Sequence, residues 1–375
     1  MRALLVTPWL PPRGGGLERY AATVAERMAR RGHEVTLLGH ADAEVDEVHR
    51  GVRRVGVVPD VRLSNAPLSR ELARRARTLV QAEGHEVVNA HTPVPGAAES
   101  AFLAARRERV PFVVTYHAGR LESASPWLAP AAALHRHTFD RVMLSRADGR
   151  IAVSDYVAQH VFRGLSGTVV MPGVDVERFT PGGTPVPGRV LFVGPCARAY
   201  AWKGLAVLAD AVAKVPGATL RVVGEGDLAD HYRAKGAEVV GRVDEARLVE
   251  EYRAASVVAL PSTTPAESFG MVLAEANACG RPVVGTRMGG IPCFVADGEN
   301  GLLANPGDAG SLADALSRVL EDPALARKLG DAGRRKVLRG HRWDDVAART
   351  VDALQDACAR RRAARSRGAA KVTRA

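Results

Sequence analysis

Short runs of branched apolar residues alternate with amphipathic helical stretches from the first residues onward, and this alternation admits few folds. Ala3 to Thr7 reads as a strand, Leu17 to Arg30 as a helix and Glu34 to Leu38 as a second strand. Within the helix Leu17, Ala21, Val24 and Met28 recur at the spacing of one buried face, and Gly32 stands where a helix stops. Further strands are expected at Val87 to Ala90, Val110 to Tyr116 and Arg150 to Val153. Repeated strand-helix-strand units build an α/β fold around a parallel, doubly wound sheet.

Thr180-Pro181-Gly182-Gly183-Thr184-Pro185-Val186-Pro187-Gly188 breaks this periodicity. The alternation then restarts, with strands expected at Arg189 to Val193, Thr219 to Val223, Glu238 to Val240, Val257 to Leu260 and Pro282 to Gly285. A chain of 375 residues also exceeds what one hydrophobic core usually serves. The expected plan is a first domain over 1–180, a linker over 181–188 and a second domain over 189–342. A helix over 343–359 is expected to pack back on the first domain, and 360–375 to form a basic tail.

The net charge of +11 resembles a nucleic-acid signal until it is located. Arg360, Arg361, Arg362, Arg365, Arg367, Lys371 and Arg374 supply seven of those charges with no acid among them, leaving about +4 for the rest. The tail therefore reads as a frayed, solvated end, and no nucleic-acid partner is expected. Arg70, Arg74 and Arg77 recur at helical spacing beside Leu72, Leu79 and Val80, and Arg106, Arg107 and Arg109 follow another helix. The preferred reading is a solvated basic face, with peripheral membrane contact as the alternative. No apolar run approaches a membrane span. Cys196, Cys279, Cys293 and Cys358 are widely spaced without metal-ligand spacing, so a cytoplasmic protein with no metal site is expected.

In open parallel sheets ligands bind at the carboxyl ends of strands. The segment from Pro261 to Ala276 leaves such a strand end, passes through a proline-bearing loop and enters a helix near Gly270. Amides at Phe269, Gly270 and Met271 would be free donors at that helix start, an arrangement that binds phosphate. Glu267 precedes the helix and Glu275 lies on its second turn, and carboxylates accept sugar and ribose hydroxyls well. A surface glutamate favoured by the helix dipole explains these residues equally well on their own. Lys203 follows the strand Arg189 to Val193 and opens the next helix, where it is either a solvated lysine, which the helix dipole slightly disfavours, or a cation facing an anionic group. Gly14 to Gly16 follow the first strand, so Gly15 and Gly16 could approach a phosphate or an acceptor, but the dinucleotide fingerprint G-x-G-x-x-G is absent.

Glu267 and Glu275 with seven residues between them, Phe269-Gly270 after the first and Pro261-Ser262 at the strand end together resemble the signature of family 4 glycosyltransferases of the GT-B fold. Further landmarks agree in order: Gly14-Gly15-Gly16-Leu17-Glu18, Arg31-Gly32-His33-Glu34-Val35, His91-Thr92-Pro93, Thr115-Tyr116-His117, Val153-Ser154, Pro172-Gly173-Val174-Asp175, Lys203-Gly204, Gly224-Glu225-Gly226 and Asp297-Gly298-Glu299-Asn300-Gly301. The resemblance implies two Rossmann-like domains facing a central cleft, with a UDP- or GDP-linked sugar held mainly by the second and no metal cofactor. It implies that Glu267 binds sugar hydroxyls, that Glu275 binds ribose, and that Arg242 and Val243 line the base pocket. It counts Glu225 among the donor-binding residues and makes His117 a sugar or acceptor contact.

The family places an arginine directly after the strand glycine, and this chain reads Gly194-Pro195-Cys196-Ala197-Arg198 instead. Arg198 is expected to reach the phosphates from its longer loop. The resemblance implies retaining, front-face transfer of a hexose-type sugar to a lipid, glycan or small-molecule acceptor. The rival is a catalytically silent sugar-nucleotide-binding protein, for which Pro195 is the support.

Overall fold

The structure is a computed structural model that describes residues 1–63, 66–118 and 134–372. Its chain divides into two units, Met1–Met171 with the C-terminal segment from Trp343, and Pro172–Arg342.

Unit 1 carries β1 (Arg2–Trp9), β2 (Glu34–His40), β3 (Val45–His49), β4 (Val52–Val57), the small hairpin β5 (Val61–Leu63) and β6 (Ala66–Leu68), β7 (Val87–Thr92), β8 (Phe112–Tyr116), β9 (Gly149–Ala152) and β10 (Thr168–Val169). The main sheet runs β10-β9-β8-β7-β1-β2-β4-β3, parallel except for β3 against β4. Its order reverses beside β1, whose Ala3, Leu4, Leu5 and Val6 are wholly buried. A central strand covered on both faces reads as an unbroken apolar run, which is why the sequence shows it plainly. The strands β3 to β6 were not foreseen: β3 is an exposed edge whose Val45-Asp46-Glu47-Val48-His49 carries no inward apolar face.

The terminal helix Trp343–Val372 belongs to unit 1. Trp343 meets Tyr20 edge-on with centroids 5.5 Å apart, and Arg27 Nη1 lies 3.2 Å from Asp344. Leu354 and Ala357 are fully buried, and Gly149 leaves room for Ala357, which a Cβ there would approach to 3.2 Å. The expected frayed tail over 360–375 is instead helical through Val372, its last three residues lying outside the described ones. Arg360 donates to the Asp148 carbonyl at 3.2 Å, Arg361 lies 3.4 Å from the Asp148 carboxylate, and Arg365 donates to the Arg109 carbonyl at 2.5 Å. These contacts and the high helix propensity of alanine and arginine extend the helix through residues that carry no apolar period.

The helix Arg70–Ala82 buries Leu72, Ala76, Leu79 and Val80 in unit 1. Arg74 pairs with Glu71, and Arg77 with Glu108. Its apolar residues are thus committed to the core of unit 1, and two arginines of its basic face are charge-paired. Among the described residues no helix is long and apolar enough to cross a membrane.

Unit 2 carries β11 (Arg189–Val193), β12 (Thr219–Val223), β13 (Glu238–Gly241), β14 (Val257–Leu260), β15 (Val283–Thr286) and β16 (Leu302–Ala304). Its sheet is wholly parallel, in the order β13-β12-β11-β14-β15-β16. That is the Rossmann order, with its reversal between β11 and β14.

The expected linker lies inside unit 2, and the division falls earlier, between Met171 and Pro172. Guanidinium groups of unit 2 hold the proline- and glycine-rich segment. Arg253 donates to the carbonyl and hydroxyl of Thr180 at 2.9 and 2.5 Å, and Arg281 to the carbonyls of Gly182 and Gly183 at 2.7 and 3.1 Å. Backbone capture of this kind leaves no trace in hydrophobic periodicity.

Asn300 ties the landmark loop of unit 2 to its helices. It is buried, accepts from the Ala296 amide at 2.8 Å, and donates to Asn277 Oδ1 at 3.0 Å and to the Phe294 carbonyl at 3.3 Å. Replacing Asn300 by alanine strands those partners away from water, so a loss of about 3 kcal/mol is expected in urea unfolding. A loss below about 1 kcal/mol would show that water replaces the side chain there.

Candidate active site

The sheet reversal in unit 2 places the loops after β11 and β14 side by side. Gly204, at φ +78°, closes a 3-10 turn over Arg198–Lys203, and a Cβ on it would lie 1.9 Å from the Pro261 carbonyl oxygen. Only glycine permits that conformation and that approach together. The contact is reinforced by Trp202, whose carbonyl accepts the Thr263 amide at 2.8 Å.

This crossing brings Lys203 Nζ to 3.0 Å from Glu267 Oε2, in a part-buried pair. The ammonium also lies 4.5 Å from the centroid of the Trp202 ring. The other carboxylate oxygen, Glu267 Oε1, accepts the Gly270 amide at 3.1 Å. Gly270, at φ +87°, then caps the helix Met271–Ala278. The expectation of three free amides is corrected here, because the Gly270 donor is taken by Glu267. The Phe269 ring belongs to the core, with centroids 5.3 Å from Phe294 and 5.7 Å from His341.

Two further parts of the site were missed in the sequence. Gly289 and Gly290 run against the donor loop: the Gly290 amide donates to the Glu267 carbonyl at 2.8 Å, and a Cβ on Gly290 would lie 1.8 Å from the Ser268 carbonyl oxygen. The paired glycines were the available signal. Tyr252, from the helix Glu245–Ala254, donates its hydroxyl to Glu275 Oε2 at 2.6 Å and fixes that carboxylate. Nothing local marks Tyr252, which arrives from another helix.

Arg198 does not reach this pair. Its amide donates to Asp227 Oδ1 at 3.0 Å, its Nε lies 3.5 Å from Asp227 Oδ2, and its side chain is 83% exposed. Glu225 and Arg242 face one another at 3.5 Å, both exposed, where the Gly224 amide donates to the Gly241 carbonyl at 2.9 Å. Val243 follows, half-buried. These residues sit at the carboxyl ends of β11, β12 and β13, on the ligand-binding edge of the sheet.

Gly15, Gly16 and His117 belong to unit 1. The Gly15 amide donates to Glu18 Oε2 at 2.7 Å, so it is not free for phosphate, whereas a Cβ on Gly15 or Gly16 would meet open space. Burial raises the Glu18 carboxyl above its usual range. His117 follows β8, and its Nε2 lies 2.9 Å from Nδ1 of His91, which is wholly buried in β7. Tyr20 meets the His117 ring edge-on, centroids 4.8 Å apart. Burial pushes His91 down to about 3, and burial together with His91 holds His117 well below the ordinary histidine value. Both imidazoles are neutral near pH 7.

Glu99, His135 and Asp140 form the one group among the described residues with three metal-capable atoms within 4.8 Å of one another. His135 Nε2 lies 2.7 Å from Glu99 Oε1, and Nδ1 lies 3.9 Å from Asp140 Oδ1. The group lies in unit 1, apart from the Lys203 pair.

The buried histidine gives a signed pH dependence. The folded value for His91 lies below its ordinary 6.5, so its contribution is intact above that pH and is lost as pH falls toward about 3. His91 alone should remove about 1.4 kcal/mol of stability per pH unit between about pH 6 and pH 4. His91→Phe should flatten the slope of unfolding free energy against pH, and an unchanged slope would assign the effect to other groups.

Comparison with known proteins follows this geometry. Residues 14–178 match the family described as Glycosyltransferase Family 4, and residues 187–322 the one described as Glycosyl transferases group 1. The chain is 32% identical to a D-inositol 3-phosphate glycosyltransferase of Xylanimonas cellulosilytica, over 92% of this chain and 93% of that one. It is 31% identical to the phosphatidyl-myo-inositol mannosyltransferase of Mycobacterium tuberculosis, over 94% and 96%. Among solved structures it resembles Anabaena HepE in complex with UDP, with TM-score 0.74 and 20% identity over 95% and 100% of the two chains. With its Rossmann sheet, its paired Lys203 and Glu267, and matches along most of its length, the chain belongs to glycosyltransferase family 4 and is a glycosyltransferase of the GT-B fold.

Proposed function

We propose that this enzyme transfers a hexose-type sugar from a UDP- or GDP-linked donor, with retention and without a metal cofactor. The Lys203–Glu267 pair at the sheet reversal carries this reading. With a donor bound, Lys203 turns its charge toward the diphosphate and Glu267 accepts sugar hydroxyls, so each group exchanges one polar partner for another. Glu275, oriented by Tyr252, accepts the ribose hydroxyls, and Arg242 and Val243 flank the base. Transfer then proceeds on one face of the sugar. The acceptor oxygen bonds to the anomeric carbon as the bond to phosphate breaks, and the acceptor proton passes to the departing phosphate oxygen. A lysine beside that oxygen stabilises the developing charge where it forms.

Glu267 and Glu275 are held for binding rather than for paired acid-base work. One accepts from Lys203 and the Gly270 amide and the other from Tyr252, whereas hydrolysis calls for two carboxyls on opposite sides of the scissile bond. The inositol-containing names of both curated relatives make inositol phosphates and phosphatidylinositol the first acceptors to test. Thermal shift with UDP, GDP and ADP separates the donors, since binding stabilises the folded state.

Lys203→Ala and Glu267→Ala are each expected to lower turnover at least about 100-fold without lowering the melting temperature by more than a few degrees. Full activity in both refutes the assignment. The product's anomeric configuration, read by proton NMR, must match the donor's, and inversion refutes retention.

Arg198 is proposed to leave Asp227 for the donor phosphates, replacing the cation displaced by Pro195. Arg198→Ala should weaken donor binding about tenfold, the effect of losing one hydrogen bond to a charged group. Unchanged donor affinity and turnover would mean that Lys203 serves alone. Donor binding without transfer to any acceptor, in the unaltered protein, would favour the silent-binder alternative that Pro195 suggests.

A further inference from the structure

We propose that His91 is a positioning residue that fixes the tautomer of His117, so that His117 presents Nδ1–H as a neutral hydrogen-bond donor and cannot serve as a base. The inference rests on the reading of His117 as a contact to the sugar or acceptor.

The geometry has two parts. His91 Nδ1 and His117 Nε2 lie 2.9 Å apart, so one nitrogen carries the proton and the other the lone pair. His91 is 0% exposed, and its other nitrogen, Nε2, is buried with no hydrogen-bond partner among the described residues. Were His117 the donor, His91 would carry its own proton on Nε2, leaving an N–H stranded in the core. Were His91 the donor, only a lone pair would be stranded. Orphaned buried N–H groups are the rarer and costlier defect, so His91 donates from Nδ1 and His117 Nε2 accepts.

The neutral His117 then carries its proton on Nδ1. The backbone holds the ring in register: the His117 amide donates to the Thr92 carbonyl at 3.0 Å, and the edge-on contact with Tyr20 limits ring rotation. Thus Nε2 is occupied as an acceptor and Nδ1 is already protonated. His117 can donate to a sugar or acceptor oxygen, but it has no free lone pair with which to remove a proton. This fits a transfer in which the leaving phosphate takes that proton, and it gives buried His91 a use that packing alone does not.

The test is long-range proton–nitrogen NMR of the full chain labelled with nitrogen-15 histidine, with His91→Asn and His117→Asn supplying assignments. The expected result is His117 protonated at Nδ1 and His91 protonated at Nδ1, both unchanged between pH 6 and pH 8. Protonation of either ring at Nε2 overturns the proposal. In His91→Phe, His117 should shift toward the Nε2–H form and turnover should fall about tenfold or more, with donor affinity unchanged. His91→Gln, whose amide can donate to His117 Nε2, should restore the Nδ1–H form and much of the rate, and serves also if the phenylalanine variant does not fold. An unchanged tautomer or an unchanged rate in a folded variant lacking the His91 donor overturns the positioning role. Because the tautomer is read without substrate, it stands apart from the transfer assay. Full activity in His117→Asn would instead refute the substrate contact on which the proposal rests.

Discussion

The contact of Gly204 with the Pro261 carbonyl is the constraint on which the donor site depends. A Cβ at Gly204 would come to 1.9 Å from that oxygen, so the loops after β11 and β14 meet backbone to backbone. With less separation than a side chain requires, a lysine from one loop meets a glutamate from the other at 3.0 Å. Gly290 repeats the device on the far side of the donor loop, where the Ser268 carbonyl leaves no room for a Cβ. The charged pair is thus set by the close backbone approach that these glycines allow. This follows from the Rossmann order, because only at the reversal do the loops of neighbouring strands diverge enough to leave a crevice between them.

The sequence made this architecture readable where burial is two-sided. Strands such as Ala3 to Thr7 and Val257 to Leu260 are apolar throughout, and the turn glycines and prolines after them mark where the chain leaves the sheet. Lys203, Glu267 and Glu275 were legible because each follows such a strand end near the start of the next helix and falls on a landmark of the family signature. What stayed hidden depends on partners remote in sequence. The segment after Thr180 looks like a linker because its composition forbids periodic structure, yet Arg253 and Arg281 reach its carbonyls from across unit 2. The basic tail looks solvated because it lacks an apolar period, yet Asp148 and the Arg109 carbonyl take its arginines. Tyr252 and His91 likewise acquire their roles only through contacts made in the fold.

Arg198 shows the limit of reading a role from residue type. It is the right cation in the right loop, but Asp227 engages both its amide and its guanidinium, and its side chain stands in solvent. An exposed pair of this kind contributes little and is easily exchanged. The same exposure that removes Arg198 from the Lys203 pair leaves it free to move toward a bound anion, whereas a buried arginine would be committed. Pro195, which has no amide proton, places a fixed bend where the family has a cation, and Arg198 is the next cation along this loop.

The two units handle protons in complementary ways. In unit 2 each candidate carboxylate already accepts hydrogen bonds, Glu267 from an ammonium and an amide and Glu275 from a phenol. In unit 1 burial keeps His91 and His117 neutral, and their mutual hydrogen bond uses the lone pair through which one of them could act as a base. The proposed transfer asks neither unit for a base, because its leaving group is a phosphate that can take up the one proton the reaction releases.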